Sequence, residues 1–142
     1  MVLKPSAFTG RCNCGGVTFT IEGPVLGSNY CHCETCRRQT GAPVFLGAKF
    51  AASKTVIIGE TREYATSETG RRHFCSTCGS NLFFTFSSSP DVIEVLIGVL
   101  DQPGRIEPTH HVWTSTQIPW FEVADSLPRH AEMPVSVWEE QQ

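Results

Sequence analysis

Seven cysteines constrain this chain of 142 residues more than any other feature, because an odd number cannot all pair in internal disulfides. They fall into three groups with short internal spacings: Cys12-Asn-Cys14, Cys31-His-Cys33-Glu-Thr-Cys36 and Cys75-Ser-Thr-Cys78. Such spacings are typical of metal ligands. Zinc takes four protein ligands in a closed structural site, and three in a catalytic site that keeps one position open. Seven thiolates therefore divide naturally into four plus three.

Spacing alone leaves open which four cysteines belong together. A zinc-ribbon arrangement would combine Cys33, Cys36, Cys75 and Cys78. The residues after each group favour another division, because glycine follows the first and third groups whereas two arginines follow the middle one. Glycine adopts positive φ readily, and this freedom lets a tight loop turn its backbone amides toward the cysteine sulfurs. We therefore expect a closed zinc site of Cys12, Cys14, Cys75 and Cys78, and a second, open zinc site of Cys31, Cys33 and Cys36.

The middle group has two other interpretations. A purely structural zinc site would be completed by a distant histidine, or by His32, which lies between two of its cysteines, if its ring pointed to the same side. Cys33 and Cys36 also have the spacing of a redox-active pair. Such pairs belong in a βαβ setting, which this sequence does not predict. The open three-cysteine site is the interpretation that we favour.

Composition limits the size and the partners of the protein. The length and the 40% hydrophobic content are those of one globular domain, residues 1–142 with a core at about 8–130. The formal net charge of −3 argues against a nucleic-acid partner, which calls for a strongly basic surface. No apolar run approaches the roughly 20 residues that span a membrane, and the N-terminus lacks a secretory signal pattern. We expect a cytoplasmic protein without a membrane partner, in surroundings where clustered cysteines bind metal more often than they form disulfides.

Hydrophobic patterning predicts a mainly β fold. Residues that alternate, or that are rich in β-branched and aromatic types, predict strands at 17–21, 43–50, 55–58, 81–86 and 92–100. Only residues 33–41 have a helical character, and Gly41 ends that short helix. The tail from Leu127 is expected to lie as extended chain over the sheet.

The cysteine segments resemble the glutathione-dependent formaldehyde-activating enzyme family, which also includes centromere protein V. The resemblance lies in Gly10-Arg-Cys-Asn-Cys-Gly-Gly-Val, Cys31-His-Cys-Glu-Thr-Cys-Arg-Arg and Phe74-Cys-Ser-Thr-Cys-Gly-Ser. The stretch from His110-His-Val-Trp through Ile118-Pro-Trp-Phe to Asp125-Ser-Leu-Pro is similar to the usual ending of that family. Together these segments span about residues 8–130 and contain all seven cysteines in order.

The resemblance implies a fold, a cofactor and a reaction. The fold is mainly β, built from coiled antiparallel sheets in a single zinc-stapled domain. Two zinc ions per chain are implied, a structural one at Cys12, Cys14, Cys75 and Cys78 and a catalytic one at Cys31, Cys33 and Cys36. The implied reaction is the addition of glutathione to formaldehyde, giving S-hydroxymethylglutathione, which is the work of a carbon–sulfur lyase. Because function follows the site and not the fold, the alternative is a zinc-stabilised binding or scaffold module without turnover.

Substrate residues are expected beside the open site. A thiol that coordinates there would lose its proton and become the nucleophile for a small aldehyde. Arg37 and Arg38 follow the site directly, and their planar guanidinium groups are well shaped to bind the carboxylates of glutathione.

The proton acceptor is not evident from the sequence. The candidates by titration range alone are His32, His73, His110 and His111, and for each a packed or surface role is the commoner one. Bulky aromatic residues near the C-terminal end are expected in the core or in a pocket wall, namely Trp113, Trp120 and Phe121. Three acidic residues with polar neighbours are expected at the surface: Glu60, Glu63 and Glu68.

Overall fold

Two β-sheets and one short helix form the frame of the protein in the computed structural model, which describes residues 7–134. The strands are β1 (Ala7–Arg11), β2 (Thr18–Glu22), β3 (Gly27–Cys31), β4 (Phe45–Ala51), β5 (Thr55–Ile58), β6 (Thr61–Ala65), β7 (Gly70–Cys75), β8 (Asn81–Phe86), β9 (Val92–Leu96) and β10 (His111–Val112). The helix α1 (Glu34–Thr40) follows β3. Single 3₁₀ turns lie at Ala52–Lys54, Ile97–Val99, Pro103–Arg105 and Thr114–Thr116.

The strands divide into a three-stranded and a seven-stranded sheet. The smaller sheet has the order β1-β2-β5, and the larger one has the order β10-β3-β4-β9-β8-β7-β6. Every pairing is antiparallel except that of β10 with β3, which is parallel. The prediction of a mainly β fold of antiparallel sheets is therefore confirmed. In residues 7–134 no helix has the length and apolar character needed to cross a membrane.

The hydrophobic core lies between the two sheets. Strand β2 alternates exposed and buried residues, so that Phe19 and Ile21 point inward. From the opposite sheet, Phe50 meets Phe8 edge-on at 5.3 Å between ring centroids, and Phe83 meets Phe19 in the same way at 6.2 Å. Edge-to-face pairs of this kind are favourable beyond the apolar area that they bury. The core therefore fixes which face of the seven-stranded sheet points away from it.

The other face of the seven-stranded sheet carries charged side chains in one row. Lys49 of β4 lies opposite Glu94 of β9, which lies opposite Phe84 of β8. Phe84 in turn lies opposite Arg72 of β7. Because side chains alternate along a strand, these four residues project from the same side of the sheet. All four line a cavity on that side.

Most of the sequence-predicted elements agree with the structure. The predicted strands at 55–58 and 81–86 are β5 and β8, and those at 17–21 and 43–50 match β2 and β4 to within two residues. The predicted strand at 92–100 ends at Leu96, because a 3₁₀ turn follows at once. The predicted helix is α1, with Cys33 as its N-cap and Gly41 as its C-cap. Strands β1, β3, β6, β7 and β10 were not predicted.

Within residues 7–134 the tail pairs beside the edge strand β10, and the prediction for the surface acids is confirmed. His111 exchanges backbone hydrogen bonds with the tail, donating to Pro128 and accepting from His130. Glu60, Glu63 and Glu68 are exposed. The part of the predicted tail at 135–142 lies outside the described residues, and the single domain at 1–142 stays a prediction.

Candidate metal and substrate site

Four cysteines from two distant parts of the chain meet in one cluster. Cys12 and Cys14 lie in the loop after β1, whereas Cys75 ends β7 and Cys78 lies in the turn before β8. Their sulfurs all lie within 4.8 Å of one another. This is the set of four that the flanking glycines predicted. The zinc-ribbon set is not formed, because Cys33 and Cys36 belong to a separate cluster.

Backbone amides surround the sulfurs of this four-cysteine cluster. Val17 N–H donates to Cys12 Sγ at 3.2 Å, and Gly16 N–H donates to Cys14 Sγ at 3.4 Å. On the other side, Thr77 and Cys78 N–H groups donate to Cys75 Sγ. Gly15 and Gly79 have φ of 80° and 76°, in the left-handed region that glycine adopts without strain. The predicted role of glycine fits Gly15, whose turn precedes the amides of Gly16 and Val17, whereas the amides that donate to Cys75 precede Gly79.

The middle group forms the second cluster. Cys31 ends β3, Cys33 caps α1 and Cys36 lies in its first turns, so that the strand-to-helix connection brings the three sulfurs within 4.8 Å of one another. Cys36 N–H donates to Cys33 Sγ at 3.2 Å. No histidine, aspartate or glutamate of residues 7–134 joins these three sulfurs as a further ligand. The cluster thus offers three ligands, one fewer than a tetrahedral metal takes.

Each cluster stabilises a thiolate through its own contacts. Hydrogen bonds from the Cys31 and Cys36 thiols lower the pKa of Cys33 to about 2, and the contacts with Cys33 and Cys36 raise the pKa of Cys31. In the other cluster, the hydroxyl and backbone of Ser80 lower the pKa of Cys78 to about 5. Both clusters therefore contain an anionic sulfur at neutral pH, which is the form that binds a metal.

The four-cysteine cluster also has the dimensions of a tetrahedral metal site. A Zn–S bond of about 2.3 Å in a tetrahedron places neighbouring sulfurs about 3.8 Å apart. The Cys12 and Cys14 sulfurs are 3.5 Å apart, and those of Cys14 and Cys75 are 3.8 Å apart. Soft thiolate ligands select metals such as zinc. The residues present therefore fit a zinc ion, and the three-cysteine cluster offers the same ligands with one position open.

A cavity of about 420 Å³ adjoins the three-cysteine cluster and not the four-cysteine one. Cys31, Cys33 and Cys36 all line it. Its walls include four aromatic side chains, from Phe45, Phe84, Phe86 and Trp113. A mainly apolar hollow of this volume with a few polar groups is typical of a small-molecule site. The expected place of Trp113 in a pocket wall is confirmed, whereas Trp120 is largely exposed, at 76%.

Arg72 is a site residue that sequence analysis missed. It lies on β7, and its Nη2 donates to Cys36 Sγ at 3.4 Å. Its guanidinium also lies 4.3 Å from the centroid of the Phe84 ring, a cation–π contact that holds it against the cavity wall. Arg72 therefore places a fixed positive charge beside the cysteine thiolates. The sequence offered one sign of its role, because Arg72 lies three residues before Cys75, one of the predicted metal ligands.

The predicted arginines of α1 lie outside this cavity. Arg37 and Arg38 line a separate, shallower depression of about 370 Å³, together with Gly41, Ala42, Pro43 and Ile118. Arg38 forms an exposed ion pair with Glu34 one turn earlier, at 2.9 Å. The Nε atom of Arg37 is buried without a hydrogen-bond partner among residues 7–134. Carboxylate binding by these two arginines stays a prediction.

No histidine lines the cavity, although the structure describes all five. The His32 ring bonds through Nε2 to Nδ1 of His111 at 2.8 Å, and Nε2 of His111 bonds to Asp125 at 2.9 Å. His73 bonds to Thr85, and burial lowers the pKa of His73 below its ordinary value. His110 packs edge-on against His130. His32, His110, His111 and His130 thus serve packing and hydrogen bonding near β3, β10 and the tail, whereas His73 bonds between β7 and β8.

Substitution of Asp125 is expected to change the acid stability of the fold. The hydrogen bond from His111 lowers the pKa of the Asp125 carboxyl, so its stabilising effect is present above the ordinary pKa and lost as pH falls through the folded pKa. Asp125→Asn should lower the melting temperature at neutral pH. The melting temperature of this variant should also decrease less than that of the wild type as the pH is lowered. Melting curves over a pH series check this, with the exposed Asp91→Asn as control. An acid profile parallel to that of the wild type would contradict the role of the contact.

The fold and the two clusters define a class, that of mainly β proteins with a four-cysteine and a three-cysteine cluster that could each hold a metal ion. Residues 7–116 match the family model described as glutathione-dependent formaldehyde-activating enzyme. Because this match covers most of the chain, the protein belongs to that family.

Individual relatives agree with the family match. Over 86 residues, 57% of this chain, the sequence is 31% identical to an uncharacterized lyase of Schizosaccharomyces pombe. The match spans 59% of that relative's length. Over 128 residues it is 23% identical to a Halomonas elongata protein provisionally named a glutathione-dependent formaldehyde-activating enzyme, covering 80% of this chain and 79% of that protein. A Rhodobacter sphaeroides crystal structure is similar at a TM-score of 0.55 and 25% identity, covering 70% of this chain and 91% of that one.

Proposed function

We propose that this protein catalyses the reversible addition of a small aldehyde to a thiol such as glutathione, as a carbon–sulfur lyase. The observation that carries the proposal is the position of the three-cysteine cluster in the wall of the 420 Å³ cavity. Glutathione and formaldehyde are the natural candidates, because the family is named for them. The four-cysteine cluster, which the cavity does not reach, is proposed to be structural.

We propose zinc as the metal of both clusters, two ions per chain. Cys12, Cys14, Cys75 and Cys78 would hold the structural ion, and Cys31, Cys33 and Cys36 would hold the other with one position left for the substrate sulfur. When bound there, zinc acidifies a coordinated thiol. The fit of the sulfur distances and the thiolate character of Cys33 and Cys78 support the assignment.

The chain's own residues orient the reactants and exclude water. Aromatic side chains line the same cavity as the sulfur cluster, so that a thiol placed there meets the aldehyde in a confined space. Arg72 adds a positive charge next to the cysteine sulfurs, which favours an anionic substrate sulfur at the same place. We extend the proposal to Arg37 and Arg38, since a tripeptide bound by its sulfur beside Cys36 has carboxylates that can extend along α1.

The decisive test is the exchange of formaldehyde with glutathione, followed by NMR with and without the protein. The zinc content of the same sample is measured, so that the activity refers to a loaded protein. We expect faster exchange than in the spontaneous reaction. Absence of acceleration across several thiols and aldehydes, with both zinc ions present, would overturn the enzyme proposal in favour of a binding module without turnover.

A further inference from the structure

The reaction of a thiol with an aldehyde needs a group that takes one proton and gives it back. The histidines are excluded by position, because none of them lines the cavity. Among the described residues that do line it, Glu94 is the only carboxylate. Its side chain is buried, and it projects from the row of Lys49, Phe84 and Arg72 across the sheet. Glu94 is therefore the carboxylate that this cavity offers as a proton acceptor among the described residues.

Close packing against Gly47 shows which way the Glu94 side chain leans. A Cβ atom added to Gly47 would lie 2.8 Å from Cγ of Glu94 and 3.0 Å from the ring of Phe45. The Glu94 side chain thus passes over Gly47 in the direction of Phe45. Phe45 is the register partner of Cys31 across β3 and β4. Cγ of Glu94 is therefore displaced toward the end of the sheet that carries the three-cysteine cluster, and Glu94 and the three cysteines line the same cavity.

Burial and the neighbouring charges act in opposite directions on the pKa of the Glu94 carboxyl, which suits it to exchange a proton. Burial raises the pKa of its carboxyl, whereas the positive charges of Lys49 on β4 and Arg72 on β7 act in the opposite direction. The remaining titratable groups that line the cavity are the three cysteines Cys31, Cys33 and Cys36. A carboxyl whose pKa is moved up toward the working pH exchanges protons more effectively than one that stays ionised throughout.

We propose that Glu94 is a catalytic residue, whose carboxylate accepts the proton of the substrate thiol and returns it to the aldehyde oxygen. This inference rests on the proposed function and names a chemical role for a residue inside that site. The S–H bond breaks and leaves its electron pair on sulfur, which forms the new S–C bond. The π electrons of the carbonyl move to oxygen, and the proton held by Glu94 completes the hydroxyl group. Glu94 is regenerated, and nothing is oxidised or reduced.

The test compares Glu94→Gln with the wild type in the glutathione–formaldehyde exchange. We expect kcat to fall about 10²- to 10⁴-fold with little change in KM for glutathione, because general acid–base catalysis contributes about that much. In the wild type kcat rises with pH as the carboxylate forms, and this acid limb should vanish in Glu94→Gln. Glu94→Asp keeps a titrating group, so it should retain the limb at lower kcat. Gly47→Ala should lower kcat by displacing the carboxylate.

A readout independent of turnover completes the test. Difference infrared spectra between acid and neutral pH should contain a buried carboxyl signal that Glu94→Gln loses. Full kcat in folded, zinc-loaded Glu94→Gln would overturn the role, as would a raised KM with unchanged kcat and acid limb. A wild type that gives no acceleration would overturn the proposed function as well. An active wild type with an equally active Glu94→Gln would overturn this inference alone.

Discussion

Cys75→Ser is expected to abolish the cooperative fold. Cys75 is buried at the end of β7, and its sulfur is one of the four in the proposed structural site. That site joins the loop between β1 and β2, in the small sheet, to the turn between β7 and β8, in the large one. Loss of the site therefore separates the two sheets whose facing sides form the core.

The expected size of this effect follows from the energy of structural zinc. Binding contributes about 10–16 kcal/mol in small zinc-folded peptides, and this binding energy is folding energy. A whole domain is stable by only about 5–15 kcal/mol. A serine at this position replaces a soft thiolate with a poor ligand, so most of that contribution is lost. The variant should lack a cooperative thermal transition.

Circular dichroism melting curves and zinc content per chain measure the outcome. Thr77→Ala, in the same turn but without a sulfur ligand, is the matched control and should melt as a folded protein with two zinc ions. A strong chelator applied to the wild type should reproduce the effect of the substitution. A Cys75→Ser protein that melts cooperatively near the wild-type temperature would show that the four-cysteine cluster is not a structural metal site.

The division of the cysteines was predictable because its causes are local. Gly15 and Gly79 follow their cysteines directly and have positive φ. The turn at Gly15 points the Gly16 amide at sulfur, and the turn that ends at Gly79 is closed by its N–H on the Cys75 carbonyl. Helix α1 was predictable for the same reason, since its caps, Cys33 and Gly41, lie at its ends in the sequence. In each case the residues that determine the structure lie within a few positions of it.

The charged row that lines the cavity was not predictable, because its residues become neighbours only through the pairing of strands that are distant in the sequence. Lys49, Glu94 and Arg72 come from three different strands, and their alignment depends on pairings across the whole sheet. In the sequence, Glu94 only interrupts an apolar run. Strand β7 was missed because its charged residues, Arg71 and Arg72, hide the alternation, although Arg72 is buried. Glu94 inside the otherwise apolar strand β9 was the available sign of a buried polar site, but the sequence does not show which residues meet it.

Cys36→Ser is expected to separate catalysis from folding. Cys36 contributes to the three-cysteine cluster in the cavity wall and takes no part in the cluster that joins the sheets. Its loss leaves two sulfur ligands there, which is too few for stable binding of zinc. We expect a folded protein with one zinc ion per chain and a catalytic rate close to that of the spontaneous reaction. The catalytic rate should fall by more than about 10²-fold. Loss of a residue that only hydrogen-bonds to a metal ligand already lowers activity or metal affinity about 10- to 100-fold.

Glu34→Gln is the matched control, because it changes an exposed residue of the same helix and removes only the ion pair with Arg38. Exchange by NMR, zinc content and melting temperature are measured for both variants and the wild type. A surface ion pair contributes little to stability, so the control should keep two zinc ions and its activity. Retained activity in Cys36→Ser would show that the three-cysteine cluster is not the site of the reaction. Loss of folding in that variant would instead show that the second cluster also stabilises the fold, because metal binding is coupled to folding.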